Sequence, residues 1–287
     1  ATLGEIRNRA DVILFWAADP RERYPRYIER YVAAGSATHV TGRTRISVSI
    51  GEDRGPPEAE LKAEFTPRDE VDALAVMKMV ARGRSPGELG SALRPAVLIA
   101  ERLRQARYAA IVHDGESGHD KRDTQRTESL VALAQLLNEP TRAALSTLRA
   151  GGNRSGAEAA LTWQTGYPMR VSFRDGYPCY QPQRSGLHRL TTGDADAALV
   201  AGAAGALDPA DLLGVPSVVI GPGASAVSGA RVAIDTGVAG IHEAGIAYRM
   251  DDVPLPLTPP LPGPRSAAET LGLLLRAVRE RAARRGR

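Results

Sequence analysis

One cysteine, Cys179, occurs in 287 residues. A lone thiol excludes an internal disulfide, which suits a protein of the cytoplasm. No apolar run approaches the roughly 20 residues of a membrane-spanning helix, and the opening residues do not read as a signal peptide. No membrane association is expected. Neither sign of charge dominates: the net charge is +4, much of it in the tail RAVRERAARRGR. That tail holds no aromatics, so the basic face interleaved with stacking side chains that marks a nucleic-acid surface is missing. A solvated helix end or a contact to an acidic partner is the expectation. A phosphate loop is missing as well: GPGAS, from Gly221, lacks both the Lys of a Walker motif and the full dinucleotide fingerprint. No nucleophile–base pair lies close in sequence. His113, Asp114, Glu116, His119 and Asp120 crowd one loop, but their spacing matches no standard metal motif, and a solvated turn is expected.

What is present is an alternation of strands and helices. The apolar run DVILFW, from Asp11, fits a strand buried on both faces. Strands are predicted at Arg45–Ile50, Leu61–Phe65, Tyr108–Val112 and Thr141–Leu148. Helices are predicted from Pro25 through Val32, over 69–80, over 95–107 and over 127–137. DADAALVAG, from Asp194, restarts the theme with another Asp-led apolar run, followed by strands at Val215–Ile220 and Ala230–Ile234. Such alternation argues for parallel α/β sheets. The expected architecture is two of them: a first domain over 1–150, and a second over 151–287 ending in a helix from Ala267. RGPPEAE and LPLTPPLPGP read as Pro-rich connectors. The chain begins at Ala1 without Met inside a helical pattern, and an upstream segment is expected.

Between the two halves lies GGNRSGAEAALTWQTGYPMRVSFRDGYPCY, from Gly151 to Tyr180. Asn153 is placed to cap a helix that Gly166 ends. Tyr167-Pro168 and Tyr177-Pro178 read as extended turns, because proline biases its predecessor away from helix. Met169–Phe173 alternates like a short strand. Trp163 and Tyr167 are expected to be largely buried, between the halves or against a partner.

The run WQTGYP, followed by a short strand and RDGYPCYQP, resembles the B subunit of formylmethanofuran dehydrogenase and its bacterial relative in the formyltransferase/hydrolase complex. LGEIRNRADVILFWAADPRERYPRYIERY and AGIAYRMDDVPLPL agree, so the resemblance covers nearly the whole chain. It implies two Rossmann-like parallel-sheet halves, as in the molybdopterin and tungstopterin oxidoreductases. It also implies a cleft that in the family holds a pterin guanine dinucleotide. Ligands of open α/β sheets sit beyond the carboxyl ends of the strands. The cleft candidates are therefore Trp16 and Asp19 after the first strand, His113 after the Tyr108 strand, Asn153, and Gly202 after the Asp194 run. An ordinary reading stands beside each: Asp19-Pro20 is a helix start, and Cys179 is a packed, inert thiol. His242 is read as structural.

The family holds its metal through cysteine or selenocysteine and an iron–sulfur cluster through further cysteines, because such centres require soft thiolates. Those residues lie upstream of the segment matching LGEIRNRAD, and Cys179 is not at a ligand position. The resemblance therefore implies a metal-free, non-catalytic structural subunit with no cofactor and no catalytic residue. Its implied partners are an amidohydrolase subunit, a formyltransferase subunit and a further structural subunit. Together these convert formyl-tetrahydromethanopterin to formate via methofuran, in formaldehyde oxidation by methylotrophs. The alternative is an active molybdenum or tungsten dehydrogenase subunit whose metal ligands precede residue 1.

Overall fold

Every residue of Val12–Trp16 (β1) is buried, which only a strand covered on both faces achieves. The structure is a computed structural model and describes residues 1–33, 39–115, 122–149, 151–182, 188–202 and 214–285. The chain divides into two units, residues 1–150 and 151–287.

The first unit opens with Leu3–Arg9 (α1). Thr2 and Glu5 close its N-terminus in a capping box, each side chain taking the other's backbone N–H. After β1, the expected helix from Pro25 shortens to a π-helical turn, Ile28–Val32, in which Tyr27 packs edge-on to Tyr31 at 5.5 Å. Then come Thr44–Ile50 (β2), Leu61–Phe65 (β3), Glu70–Ala81 (α2) and Arg94–Arg104 (α3). Tyr108–Asp114 (β4), Arg122–Leu137 (α4) and Arg142–Leu148 (β5) complete the unit.

The five strands form one parallel sheet in the order β3-β2-β1-β4-β5. Leu14 pairs with Ile46 on one side and Ile111 on the other. Trp16, Leu74, Met77, Ile99, Leu103, Leu130 and Leu133 belong to the core. Between parallel β2 and β3 the RGPPEAE run is an extended crossover without a helix. Gly55 N–H donates to Ser49 Oγ (3.2 Å) and Glu60 N–H to the Arg45 carbonyl (3.1 Å), so this segment lies along β2.

The second unit begins with Arg154–Thr165 (α5). Val171–Ser172 (β6) and Cys179–Tyr180 (β7) pair antiparallel in a ribbon shorter than the strand expected over Met169–Phe173. After the short helix His188–Thr191 (α6), Ala198–Ala201 (β8), Ser217–Ile220 (β9) and Val232–Ile234 (β10) form a parallel sheet in the order β10-β9-β8.

The Pro-rich run after Val253 is not a plain connector: Pro254–Leu257 (β12) pairs antiparallel with Gly245–Tyr248 (β11). Pro254 and Pro256 alternate, so both missing N–H groups fall on one side of the strand and the other side is left for the ladder. Ala267–Arg285 (α7) follows. Both main sheets are parallel, as the strand–helix alternation predicts. Among the described residues no helix is long and apolar enough to cross a membrane.

Candidate functional site

In the first unit, the chain steps outward from β1 to β3 and returns on the other side as β4. The order therefore reverses between β1 and β4, and the crevice beyond their carboxyl ends is where a doubly wound sheet binds ligands. Trp16 and His113 are register partners at that edge.

Past Trp16 the backbone bends sharply, with Ala17 in the left-handed region (φ 50°). Asp19 then accepts the Arg21 N–H (3.0 Å) and starts a 3-10 turn over Pro20–Glu22. The same carboxylate is gripped by the Arg21 guanidinium, with Nε to Oδ1 at 3.0 Å and Nη2 to Oδ2 at 2.6 Å, while Nη1 reaches Glu58 at 2.6 Å. These bonds, Asp19's foremost, hold Arg21 protonated well beyond its ordinary range. Arg23 crosses to the end of β4, its Nη1 2.8 Å from Asp114 Oδ1. Tyr24 OH donates to the carbonyl of Arg149, just beyond β5. The segment 19–24 thus straps the ends of β1, β4 and β5, and Asp19 and Asp114 each face one of this chain's own arginines.

Beneath the strap, His113 is fully buried. Its Nε2 lies 3.0 Å from Thr147 Oγ1 and its Nδ1 has no partner. Burial pushes its pKa below the ordinary histidine value, against the opposing pull of Asp114. The imidazole is a neutral core group.

Trp16 is equally buried and stacks with Phe65 at 6.1 Å. Its Nε1 donates to Glu70 Oε1 (2.8 Å), which also accepts from Arg126 Nε (2.6 Å). Arg126 Nη2 reaches Glu70 Oε2 at 3.2 Å, and its Nη1 reaches Asp53 Oδ2 at 3.1 Å. Burial works against the Arg126 charge, but its bonds to Glu70 and Asp53 more than offset it and raise its pKa. Sequence reasoning missed this buried pair, since Glu70 reads there as an ordinary acid in a first helical turn.

The remaining candidates lie in the second unit. Asn153 occupies the N-cap position of α5 in left-handed geometry, yet its side chain does not cap the helix. It reaches β11 instead: Nδ2 donates to the Ile246 carbonyl (3.0 Å) and Oδ1 accepts from Tyr248 N–H (2.7 Å). The amide behaves as a further residue of the strand edge.

Gly202 ends β8, and a Cβ added at Gly221, after β9, would collide with its carbonyl. Two glycines let these strand ends close up. The Gly202 N–H donates to Ile220 O at 2.9 Å. Asp235, after β10, accepts the Ser225 N–H (3.1 Å), and hydrogen bonds from the Gly223–Ser225 turn hold its carboxyl below the usual range. His242 is structural, its Nδ1 accepting from Val238 N–H at 3.1 Å.

The expected burial of Trp163 and Tyr167 is not met in the isolated chain. Trp163 is 73% exposed, Tyr167 is 36% exposed, and Phe173 and Tyr177 are exposed beside them in sequence. Tyr167 stacks on Tyr180 at 5.4 Å, which orders the ribbon without covering it. Cys179 is half-buried in β7. Among the described residues no group of three or more His, Cys, Asp or Glu side chains is placed to hold a metal ion. Glu116, His119 and Asp120 lie outside the described residues.

No protein-family model matches the chain. It is 30% identical over 296 aligned residues to the B subunit of tungsten-containing formylmethanofuran dehydrogenase 2 from Methanocaldococcus jannaschii, spanning 97% of this chain and 68% of that protein. The protein of the same name from Methanococcus maripaludis is 27% identical over 299 residues, 98% and 68% of the two chains. A chain in the crystal structure of the formyltransferase/hydrolase complex of Methylorubrum extorquens, solved with methylofuran, superposes with a TM-score of 0.76 at 27% identity. That match covers 100% of this chain and 78% of the other.

Proposed function

Because this chain belongs to the family of the formylmethanofuran dehydrogenase B subunit, we propose that it is the structural, metal-free B subunit of a formyltransferase/hydrolase complex. The observation that carries this reading is the match over the whole chain to a component of such a complex.

The chemistry of the crevice supports it. Asp19 and Asp114, at the ends of β1 and β4, are engaged by Arg21 and Arg23. Trp16 Nε1 donates to Glu70 and His113 Nε2 lies against Thr147, so both rings are buried within this unit. Among the described residues no group of three or more His, Cys, Asp or Glu side chains is placed to hold a metal ion. There is one thiol in 287 residues, and it sits in a two-residue strand.

The chemistry then belongs to partner subunits: formyl transfer from formyl-tetrahydromethanopterin to methofuran, and hydrolysis of the resulting formamide by an amidohydrolase. In the second step water adds to the formyl carbon and the C–N bond breaks, giving formate and the free amine. No electrons pass, so a redox metal has no task in either step. What such a complex requires of this chain is surface, and the exposed aromatics Trp163, Phe173 and Tyr177 supply an apolar one of the kind that assembly covers.

The test is co-purification with metal analysis. Deleting this subunit should prevent the transferase and hydrolase subunits from purifying together. Asp19→Ala and His113→Gln should leave formate release intact wherever the complex assembles. The tungsten of the two archaeal relatives favours a second reading, a tungsten dehydrogenase subunit. Stoichiometric tungsten or molybdenum in the complex, or loss of turnover in an assembled Asp19→Ala complex, would decide for it.

A further inference from the structure

The parallel sheet of the second unit is covered on one face and bare on the other. Register sets which side chains share a face. Leu199 pairs with Val218, and Val218 with Val232, so these three form one row across the sheet. Ala201, Ile220 and Ile234 form the next row on the same side. Val200 and Val219 point the other way, because successive side chains of a strand alternate.

β8, β9 and β10 follow one another in a single direction across the sheet. Right-handed connections that keep advancing in one direction pass over the same face. Ala224, between β9 and β10, marks which face that is: it is buried in a cluster with Val219, with Ala198 and Val200 packed against them. This topology leaves the Leu199 face without a crossover. Leu199 is 53% exposed, and Val232 and Ile234 are exposed on the same side. On that face Ile220, in the central strand, is buried. Parallel sheets are otherwise covered on both faces, as β1 is in the first unit, because their strands carry apolar side chains on both.

The bare face is small. Three strands about 4.8 Å apart and two rows of side chains about 6.6 Å apart give a patch on the order of 200 Å², the footprint of one α-helix about 10 Å across. A separate molecule needs about 800 Å² per partner for a specific interface and must offset the freedom lost on association. This patch by itself therefore does not hold a second copy or a free subunit. A helix already joined to the chain carries no such association cost. No side chain in the two rows ionises, so the occupant presents an apolar stripe. The relatives also carry residues that have no counterpart within 1–287, since this chain spans only part of each. We propose that an amphipathic helix of the same polypeptide, from outside residues 1–287, lies across Leu199, Val218, Val232 and Ile234 and completes the second unit.

A photoreactive benzophenone side chain in place of Leu199 tests this in the complete polypeptide, irradiated in the purified assembly and digested for mass spectrometry. The expected adduct has the mass of a single chain and joins the segment around position 199 to a peptide from outside residues 1–287. The same probe in place of Val232 should reach the same peptide. Adducts to another subunit or to a second copy, or no adduct at either position, would overturn the proposal. A second arm needs no probe. Leu199→Asp should lower the urea midpoint of the complete polypeptide well below that of Val71→Asp, because Val71 is comparably exposed but lies on α2, outside the covered face. Equal midpoints in the two variants would overturn it as well.

Discussion

Replacing Arg126 by methionine leaves Glu70 charged, buried and short of its two strongest donors. Glu70 is 3% exposed and Arg126 6%. The carboxylate loses Nε at 2.6 Å and Nη2 at 3.2 Å, and keeps only Trp16 Nε1 at 2.8 Å. Breaking a buried pair by removing one partner costs about 3–5 kcal/mol, because the remaining charge has been taken out of water. The place of Glu70 in the first turn of α2 is the same before and after the substitution, so it does not reduce that cost, and a loss of about 3–5 kcal/mol is expected. For a unit of this size it lowers the midpoint by roughly 6–20 °C.

The assay is urea unfolding followed by the fluorescence of Trp16, which touches the network directly, in a Trp163→Phe background that leaves one indole. The decisive arm is the double variant Glu70→Gln/Arg126→Met. Glutamine keeps an oxygen for Trp16 and carries no charge, so the double variant should be more stable than Arg126→Met alone. A single-variant loss below about 1 kcal/mol, or no recovery in the double, would refute the reasoning that a stranded buried charge sets the cost.

Burial depresses the pKa of His113, so below the ordinary histidine value of about 6.5 the unfolded chain binds a proton that the folded chain resists. Stability should therefore fall as pH drops from about 6.5 toward the depressed native value, and His113→Gln should flatten that slope in denaturant titrations. Asn153→Ala removes both bonds to β11 and places a Cβ residue at φ 57° with no compensating amide, so a loss of about 1–3 kcal/mol and faster exchange of the Tyr248 amide are expected. Asn153→Gly, which relieves only the backbone strain, should recover a minor part. Trp163→Ala should change the stability of the isolated chain by less than about 0.5 kcal/mol yet prevent co-purification of the other subunits, the signature of a surface that partners cover.

The sequence by itself determined the strands and most helices, because those signals are local. An unbroken apolar run such as Val12–Trp16 has only one way to hide all its side chains. Apolar spacing over 69–80 marks a helix but not its buried side: Leu74, Met77 and Val80 are buried, while Val71 and Met79 of the same helix stay exposed. The family was legible too, in the resemblance that WQTGYP and RDGYPCYQP carry, and the comparison with a relative of 30% identity bears that placement out.

The site was legible only as a set of strand ends. What each end does depends on partners that the crossovers deliver. Arg23 meets Asp114 across 91 positions, Asn153 meets Tyr248 across 95, and Arg126 meets Glu70 across 56. Local pattern read Asn153 as a helix cap, and the run through Pro254 and Pro256 as a connector. Tertiary packing made the first a clasp for β11 and the second a strand. The exposure of Trp163 was likewise beyond reach of periodicity, which gives the apolar side of an element but not whether anything in the same chain covers it. Local pattern fixes which side chains must leave water or pair; which neighbour receives them is a property of topology, and only the tertiary structure decided it.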